Sequence, residues 1–266
     1  MTRLAALLGA QILTAPLAVA VADPAALPAQ VQVEVGSAEL AAARADAAQA
    51  GSVLAAVWTE ILVGAGVRDT PRAEASAGAA ARVVAYSDSQ VTACATLGPE
   101  NAFYCPRDDT IYYDEWFVAA IRAIVARELQ TDGSLAVPAI LAHEWGHRIR
   151  ARLRPDGDGI RVFAELSADC LAGAALGQVA RRGGMMTADD TAEATLAIRL
   201  LGDEPGTLVG ARSASWSARP EAGDPAARGR TQRGLTRHGD PDERVRSFQR
   251  GLRHGAGKCM KELGPR

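Results

Sequence analysis

The chain has 266 residues, enough for one substantial domain with a targeting segment. Its formal net charge is −2 with 23% charged residues, so no global basic field points to nucleic acid as a partner. A hydrophobic fraction of 48% fits an ordinary soluble domain.

The first 22 residues have the features of an export signal. Arg3 supplies a positive charge, residues 4–21 are almost wholly apolar, and a small-x-small cleavage site ends at Ala22. An uncleaved membrane anchor is the alternative, although polar residues and a proline interrupt the apolar run, which is barely long enough to span a bilayer. We expect cleavage near Ala22, export to the periplasm or the medium, and no stable membrane association afterwards. No later run is expected to cross a bilayer.

A linker is predicted at residues 23–36, which contain Pro24 and Pro28. Apolar side chains then recur at helical spacing from residue 38 to residue 64, although Gly51 weakens the middle of this predicted helix. After a loop rich in Gly, Ala and Pro, short strands are predicted at 82–87, 101–105 and 110–113. Asp108, Asp109 and Asp114 do not have the spacing of an EF-hand calcium loop and are interpreted as turn residues.

Five helices are predicted after residue 113. Asp114 can cap a helix that runs to about Arg127. The next helix has Pro138 in its first turn, and the arginines near its end are interpreted as a solvated face that suits the helix C terminus (Arg148, Arg150, Arg152 and Arg154). Residues 203–236 are predicted to form an irregular loop. The later helices are predicted at about 138–152, 161–181, 188–202 and 241–254.

The sequence His-Glu-Trp-Gly-His at 143–147 places the parts of a hydrolytic zinc site on one turn of helix. His143 and His147 are four residues apart, so both imidazoles project from the same face and can reach one metal ion. Glu144 lies beside them, where its carboxylate can take a proton from a water on the metal. Histidine occurs only four times in the chain, which argues against an accidental pattern on a surface helix.

A catalytic zinc needs a third protein ligand and one open position. The long form of the motif, with a third histidine just downstream, is excluded because Arg150 and Leu153 occupy the relevant positions. Glu165 and Asp169 are one helical turn apart on the predicted 161–181 helix. We therefore predict that Glu165 binds zinc and that Asp169 accepts the distal N–H of a ligand histidine, His143. Apolar neighbours argue against a solvated face here.

The four cysteines form an even set, which agrees with an oxidising compartment. Of the three possible pairings, the short separation of Cys94 and Cys105 favours a local bridge, which leaves Cys170 with Cys259. The alternative is that Cys170 binds zinc. It points about a quarter-turn away from the face predicted for Glu165, so a structural bridge is preferred.

His-Glu-Trp-Gly-His followed by Glu-Leu-Ser-Ala-Asp-Cys-Leu-Ala-Gly at 165–173 resembles the bacterial neutral zinc metallopeptidases, within the thermolysin-like clan called gluzincins. Val57-Trp58, residues 98–117 and residues 238–246 are similar to other segments of that family, so the resemblance runs from about residue 50 to the C terminus. It implies an α+β fold over 37–266: a mostly helical, zincin-like domain with a small β-sheet beside the catalytic helix. The resemblance also implies one Zn²⁺ per chain.

The resemblance implies roles for residues outside the two motifs. Asn101 and Ala102 would hold the substrate backbone by strand addition, with packing of the adjacent Phe103 and Tyr104 on a neighbouring helix as the alternative. His238 would stabilise the oxyanion, and its alternative is an ordinary helix N-terminal cap region. Arg244 would hold Asp169 or His238 in place.

These patterns predict an exported zinc metalloendopeptidase that acts on a peptide or protein substrate. Two alternatives stay open. A zinc amidase acting on cell-wall peptide would use the same catalytic groups. A zinc-bound but inactive binding module would not need Glu144, since this residue is dispensable for metal binding.

Overall fold

A computed structural model describes residues 33–65, 81–154, 161–183, 186–202 and 238–263. The predicted signal segment, most of the predicted linker and the predicted loop at 203–236 lie outside these residues. The domain boundaries therefore stay predictions.

The described residues form a mostly helical domain with a small sheet, which confirms the predicted α+β class. The elements in chain order are α1 Ser37–Gly64, β1 Arg82–Tyr86, β2 Gln90–Val91, β3 Thr96–Leu97, β4 Ala102–Cys105, β5 Thr110–Asp114, α2 Glu115–Leu129, α3 Ala136–Leu153, α4 Arg161–Arg181, α5 Ala188–Leu200, α6 Pro241–His254 and α7 Ala256–Glu262. Helix α7 and the short strands β2 and β3 were not predicted.

The main sheet has three strands in the order β1-β5-β4, with β1 parallel and β4 antiparallel to the central strand. All five residues of β5 are buried because the sheet is covered on both faces. Tyr104 and Ile111 face the helical core, whereas Tyr112 and Cys105 belong to a small second cluster on the other face. Strand β4 is an edge strand of this sheet and lies against α3.

Carboxylates accept the free backbone N–H groups at the starts of α2 and α3, in one case from the adjacent residue and in the other from another helix. Asp114 caps α2 as predicted, since its carboxylate accepts the backbone N–H of Trp116 at 3.0 Å. Helix α3 has no capping side chain of its own. Buried Glu193 of α5 accepts the backbone N–H groups of Gly133 at 3.2 Å and Leu135 at 2.8 Å. A carboxylate from another helix thus stabilises the positive end of α3, the helix that carries His143 and His147.

Glycines bring the central helices into backbone contact. A Cβ atom on Gly146 of α3 would lie 2.4 Å from the carbonyl oxygen of Ala168 in α4. A Cβ atom on Gly173 of α4 would lie 2.0 Å from the carbonyl oxygen of Phe248 in α6. A residue without a side chain is therefore needed at Gly146, and α4 is held between α3 and α6.

We expect Gly146→Ala to lower the free energy of unfolding by about 1–3 kcal/mol, because α4 must move away from α3. Gly257→Ala in α7 is the matched control, since nothing lies within 4 Å of the added methyl group. Its expected effect is neutral or stabilising by up to about 1 kcal/mol. Urea unfolding of both variants makes the comparison, and equal stability in the two would contradict this account.

The expectation that no later segment is long and apolar enough to cross a membrane is wrong by length and composition alone. Helix α1 and residues Val162–Arg181 of α4 both qualify. In α4, Leu171 and Ala174 are fully buried in the helical core. Core helices of soluble proteins pass the same test, and α4 has their burial pattern.

The four cysteines form the two disulfides that the sequence predicts. Cys94 bonds to Cys105 and Cys170 bonds to Cys259. The first bridge ties the turn between β2 and β3 to β4, and the second ties α4 to α7. Cys170 is therefore not available as a zinc ligand.

Candidate metal centre

The two motif histidines of α3 converge on one point. Their Nε2 atoms lie 3.0 Å apart and their rings are nearly perpendicular, with an interplanar angle of 88°. His143 is almost fully buried, whereas His147 is partly exposed. At this distance one Nε2 atom must donate a proton and the other must accept it. A metal cation that replaced the shared proton would receive two nitrogen ligands.

Glu165 of α4 brings its carboxylate to both imidazoles. Its Oε2 atom lies 3.3 Å from His143 Nε2, and its Oε1 atom lies 3.6 Å from His147 Nε2. The buried Oε2 atom has no hydrogen bond to any described residue. Burial raises the pKa of Glu165, but the neighbouring histidines outweigh burial and hold that pKa well below its usual range. An ionised, buried carboxylate oxygen beside two imidazole nitrogens fits the ligand set of a catalytic zinc.

Glu144 also lies close to the histidines: ligand atoms of His143, Glu144 and His147 are within 4.8 Å of one another. However, the Glu144 Oε2 atom accepts the backbone N–H of Tyr104 in β4 at 2.8 Å. This bond anchors the Glu144 carboxylate to the sheet, whereas both oxygens of Glu165 face the imidazole nitrogens. Glu165 is therefore better placed than Glu144 to complete a set of metal-binding groups with the two histidines.

Asp169 and Arg244 form a buried pair behind His143. His143 Nδ1 lies 2.8 Å from Asp169 Oδ1, and because an ionised carboxylate can only accept, the imidazole is the donor. Arg244 donates from Nε and Nη2 to the two oxygens of Asp169, each at 2.9 Å. Burial raises the pKa of Asp169, but the charges of Arg244 and His143 outweigh burial, so the net pKa is lowered. With Nδ1 occupied, the Nε2 atom of His143 is fixed toward the metal position.

Arg244 also donates to the backbone carbonyl of Leu201, at the end of α5, at 2.6 Å. Of the two contacts that the resemblance implied for Arg244, the structure shows the one with Asp169. Arg244 and Asp169 are both fully buried. The Arg244 guanidinium thus joins α4, α5 and α6 directly behind His143.

His238 lies beside Glu165, with its Nδ1 atom 3.5 Å from Glu165 Oε2 and 57% of its side chain exposed. It also lies two residues before Asp240, which caps α6, so the alternative of an ordinary position in the N-terminal cap region stays open. The Asp240 side chain accepts the backbone N–H groups of Asp242 at 2.9 Å and Glu243 at 3.1 Å. His238 is therefore next to the proposed metal position and open to solvent.

Strand β4 presents part of its backbone to this site. The N–H of Tyr104 points to Glu144, away from β5, and the alternation of a strand puts the N–H and C=O of Ala102 on the same side. The carbonyl of Asn101 points the other way and accepts the N–H of Asp114 at 2.8 Å. The alternative for Phe103 and Tyr104 was that both pack on a neighbouring helix. Tyr104 does pack in the helical core, whereas Phe103 packs against the second cluster.

The interpretation of Arg148 as part of a solvated arginine face is wrong. Its side chain is 3% exposed and donates to both oxygens of Asp109, at 2.7 Å and 2.6 Å. Asp109 is thus an ion-pair partner as well as a turn residue. A signal was present in the sequence, because position 148 follows Glu144 by four residues and lies on the same inward face.

Comparison with known proteins agrees with this site. The family model described as "Putative neutral zinc metallopeptidase" matches residues 4–260, and the chain belongs to that family. The match begins well before residue 50, where the sequence resemblance was recognised, and it spans the predicted loop at 203–236. No solved structure gives a significant match to the chain.

Relatives among curated proteins cover only part of the chain. "Uncharacterized protein YpfJ" of Escherichia coli (strain K12) is 29% identical over 141 residues, which is 46% of each chain. "Uncharacterized protein Rv2575" of Mycobacterium tuberculosis and "Uncharacterized protein Mb2605" of Mycobacterium bovis are 34% identical over 98 residues, which is 33% of this chain and 32% of theirs. The matches therefore span less than half the length of these relatives.

Proposed function

We propose that this chain is an exported zinc-dependent metalloendopeptidase. One observation carries the proposal: the Nε2 atoms of His143 and His147 and the carboxylate of Glu165 meet at one point, with Glu144 beside them. Two imidazoles and one carboxylate are the protein ligands of many zinc peptidases and leave a position for substrate. The two disulfides are typical of an oxidising compartment and support export together with the predicted signal segment.

Zinc, when bound by these three side chains, supplies a Lewis acid that acidifies a water molecule and polarises the scissile carbonyl. The remaining chemistry belongs to the protein. Glu144 takes a proton from the attacking water and later delivers it to the leaving amine. The N–H of Tyr104, at 2.8 Å, holds one oxygen of this carboxylate in place. His238 stands on the exposed side of Glu165, where it can donate a hydrogen bond to the developing oxyanion.

The edge of β4 supports a peptide as the substrate. Ala102 has an N–H and a C=O on the side of the strand that faces away from β5, so an extended peptide can add to the sheet there. Asn101 directly precedes this strand and is half-buried, which suits a side chain that grips the substrate backbone. A peptide bound in this way would run past Glu144.

The proposal is tested by assaying the purified mature chain on a casein-type substrate before and after chelation, with zinc added back. We expect cleavage that is lost on chelation and restored by one equivalent of zinc. A mixed peptide library and purified cell wall are digested in parallel. Cleavage of cell-wall peptide alone would show the amidase alternative, and no turnover on either substrate would indicate a binding module.

Zinc uptake at pH 7 is expected to release about one proton. Burial lowers the pKa of His143, but the charge and the hydrogen bond of Asp169, together with the contact with Glu165, raise it to about 9. The metal-free imidazole is therefore protonated at pH 7, and zinc binds only the neutral form. The same protonation stabilises the metal-free chain below about pH 6.5, the usual histidine pKa, and this stability is lost as the pH rises through about 9.

Calorimetric zinc titrations in two buffers of different ionisation enthalpy count the released proton. Urea unfolding of the metal-free chain at pH 6.5 and pH 9.5 measures the stability change. His254→Gln is the control, because His254 is exposed on α6 and should leave the proton count unchanged. Zinc binding without proton release at pH 7 would contradict this assignment.

A further inference from the structure

A partly buried polar network links the β4–β5 turn to α3, and the proposed reaction does not use it. Asp109 in the turn accepts two hydrogen bonds from Arg148 of α3, at 2.7 Å and 2.6 Å. The Arg148 guanidinium also stacks over the ring of Trp145, 4.6 Å from its centroid. A two-point contact between a fixed guanidinium and a carboxylate defines the distance and the orientation of the two elements.

Tyr104 joins this ion pair to the general base. Its hydroxyl donates to Asp109 Oδ1 at 3.0 Å, and its backbone N–H donates to Glu144 Oε2 at 2.8 Å. Glu144 and Arg148 are one helical turn apart on α3. The four residues therefore form a closed ring, in which Tyr104 is bound to α3 directly through Glu144 and indirectly through Asp109 and Arg148.

The charges in the ring favour a permanent arrangement. Burial raises the pKa of Asp109, but the hydrogen bonds and the charge of Arg148 outweigh burial and lower it. Burial, and after it the charge of Asp109, raises the pKa of the Tyr104 hydroxyl well above its ordinary value. Asp109 therefore stays ionised and Tyr104 stays a donor across the physiological pH range.

We propose that Tyr104, Asp109 and Arg148 are positioning residues that hold Glu144 at a fixed place relative to the edge of β4. This inference rests on the proposed peptidase function, in which Glu144 is the general base. A displacement of about 1 Å in a reacting group can cost on the order of 100-fold in rate. A single backbone hydrogen bond from a four-residue edge strand leaves such freedom, and the ring removes it because both ends of Tyr104 are held.

The hairpin contains its own matched control. Tyr112 of β5 donates its hydroxyl to Asp108 Oδ2 at 2.9 Å. This bond has the same chemistry, but Tyr112 packs in the second cluster, on the opposite face of the sheet from Tyr104. Tyr104→Phe and Tyr112→Phe thus each remove one hydroxyl bonded to an aspartate, and only Tyr104 belongs to the ring.

In the zinc-loaded chain we expect Tyr104→Phe to lower kcat about tenfold, equivalent to about 1.4 kcal/mol, with little change in KM or zinc content. Asp109→Asn should lower kcat at least as much, because buried Arg148 loses its anion. Tyr112→Phe should stay within twofold of the natural chain. Equal kcat values for the two Tyr→Phe variants would overturn the proposal, and so would loss of zinc from Tyr104→Phe.

Hydrogen exchange of the residue 104 amide, followed by NMR, tests the ring without any turnover. We expect this amide to be protected in the natural chain and in Tyr112→Phe, and to exchange at least tenfold faster in Tyr104→Phe. Unchanged protection in Tyr104→Phe would overturn the proposal. If the natural chain binds zinc but cleaves no peptide, the proposed function fails, and the exchange comparison still decides whether the ring fixes Tyr104 against Glu144.

Discussion

Replacement of Glu144 by Gln is expected to leave zinc binding intact and to reduce kcat by about 10²–10⁴-fold. The amide oxygen of Gln can still accept the N–H of Tyr104, which the carboxylate accepts at 2.8 Å, so the side chain keeps its place. An amide cannot take a proton from water near neutral pH. The loss should therefore appear in kcat, while the zinc content and the thermal unfolding temperature stay close to those of the natural chain.

Metal analysis, thermal unfolding and steady-state kinetics of Glu144→Gln provide the measurement. Glu128→Gln is the control, since Glu128 is exposed on α2, and its kcat should stay within twofold of the natural value. Persistent turnover in Glu144→Gln would place the general base elsewhere. Loss of zinc from the variant would instead make Glu144 a metal ligand.

Arg244→Met is expected to lower the free energy of unfolding by about 3–5 kcal/mol. Arg244 and Asp169 are both fully buried, so the substitution removes one of the two cationic partners of the ionised Asp169 carboxylate in the interior and leaves only His143. The carbonyl of Leu201, which accepts from Arg244 at 2.6 Å, also loses its partner. Removal of one member of a buried pair costs far more than the pair contributes, because the remaining charge has no solvent.

The same substitution is expected to weaken zinc binding by about 10–100-fold, because Asp169 then orients His143 less firmly. Urea unfolding of the metal-free chain measures the first effect, and titration against a competing chelator measures the second. Arg246→Met is the control: Arg246 is exposed two residues along α6, and the change should stay within about 0.5 kcal/mol. Equal losses in the two arginine variants would contradict the role given to Arg244.

Elements with local start signals were predictable from the sequence. Helix α6 was predicted at 241–254 and occurs at Pro241–His254, because Asp240 caps it and proline favours the first helical position. Helix α1 continues through Gly51, where the missing side chain leaves room for Val83. Strands β2 and β3 have two residues each, too few for a periodic pattern. Helix α7 depends on tertiary contacts that include the Cys170–Cys259 bridge.

The candidate site was predictable where its residues lie one helical turn apart. The spacings of His143 with His147 and of Glu165 with Asp169 put each pair on one face without any knowledge of the fold. The contact of Asp109 with Arg148 spans 39 residues and depends on how the hairpin packs on α3. Residues two apart on a helix face opposite sides, so arginines at alternate positions could not all be solvated.

The most direct test of the central claim is a crystal structure of the zinc-loaded chain, with an anomalous difference map collected at the zinc absorption edge. We predict a zinc peak within about 2.3 Å of the Nε2 atoms of His143 and His147 and of a carboxylate oxygen of Glu165, with Glu144 unbound. A zinc ion whose third protein ligand is Glu144 or another side chain, or the absence of zinc between the two histidines, would contradict the account.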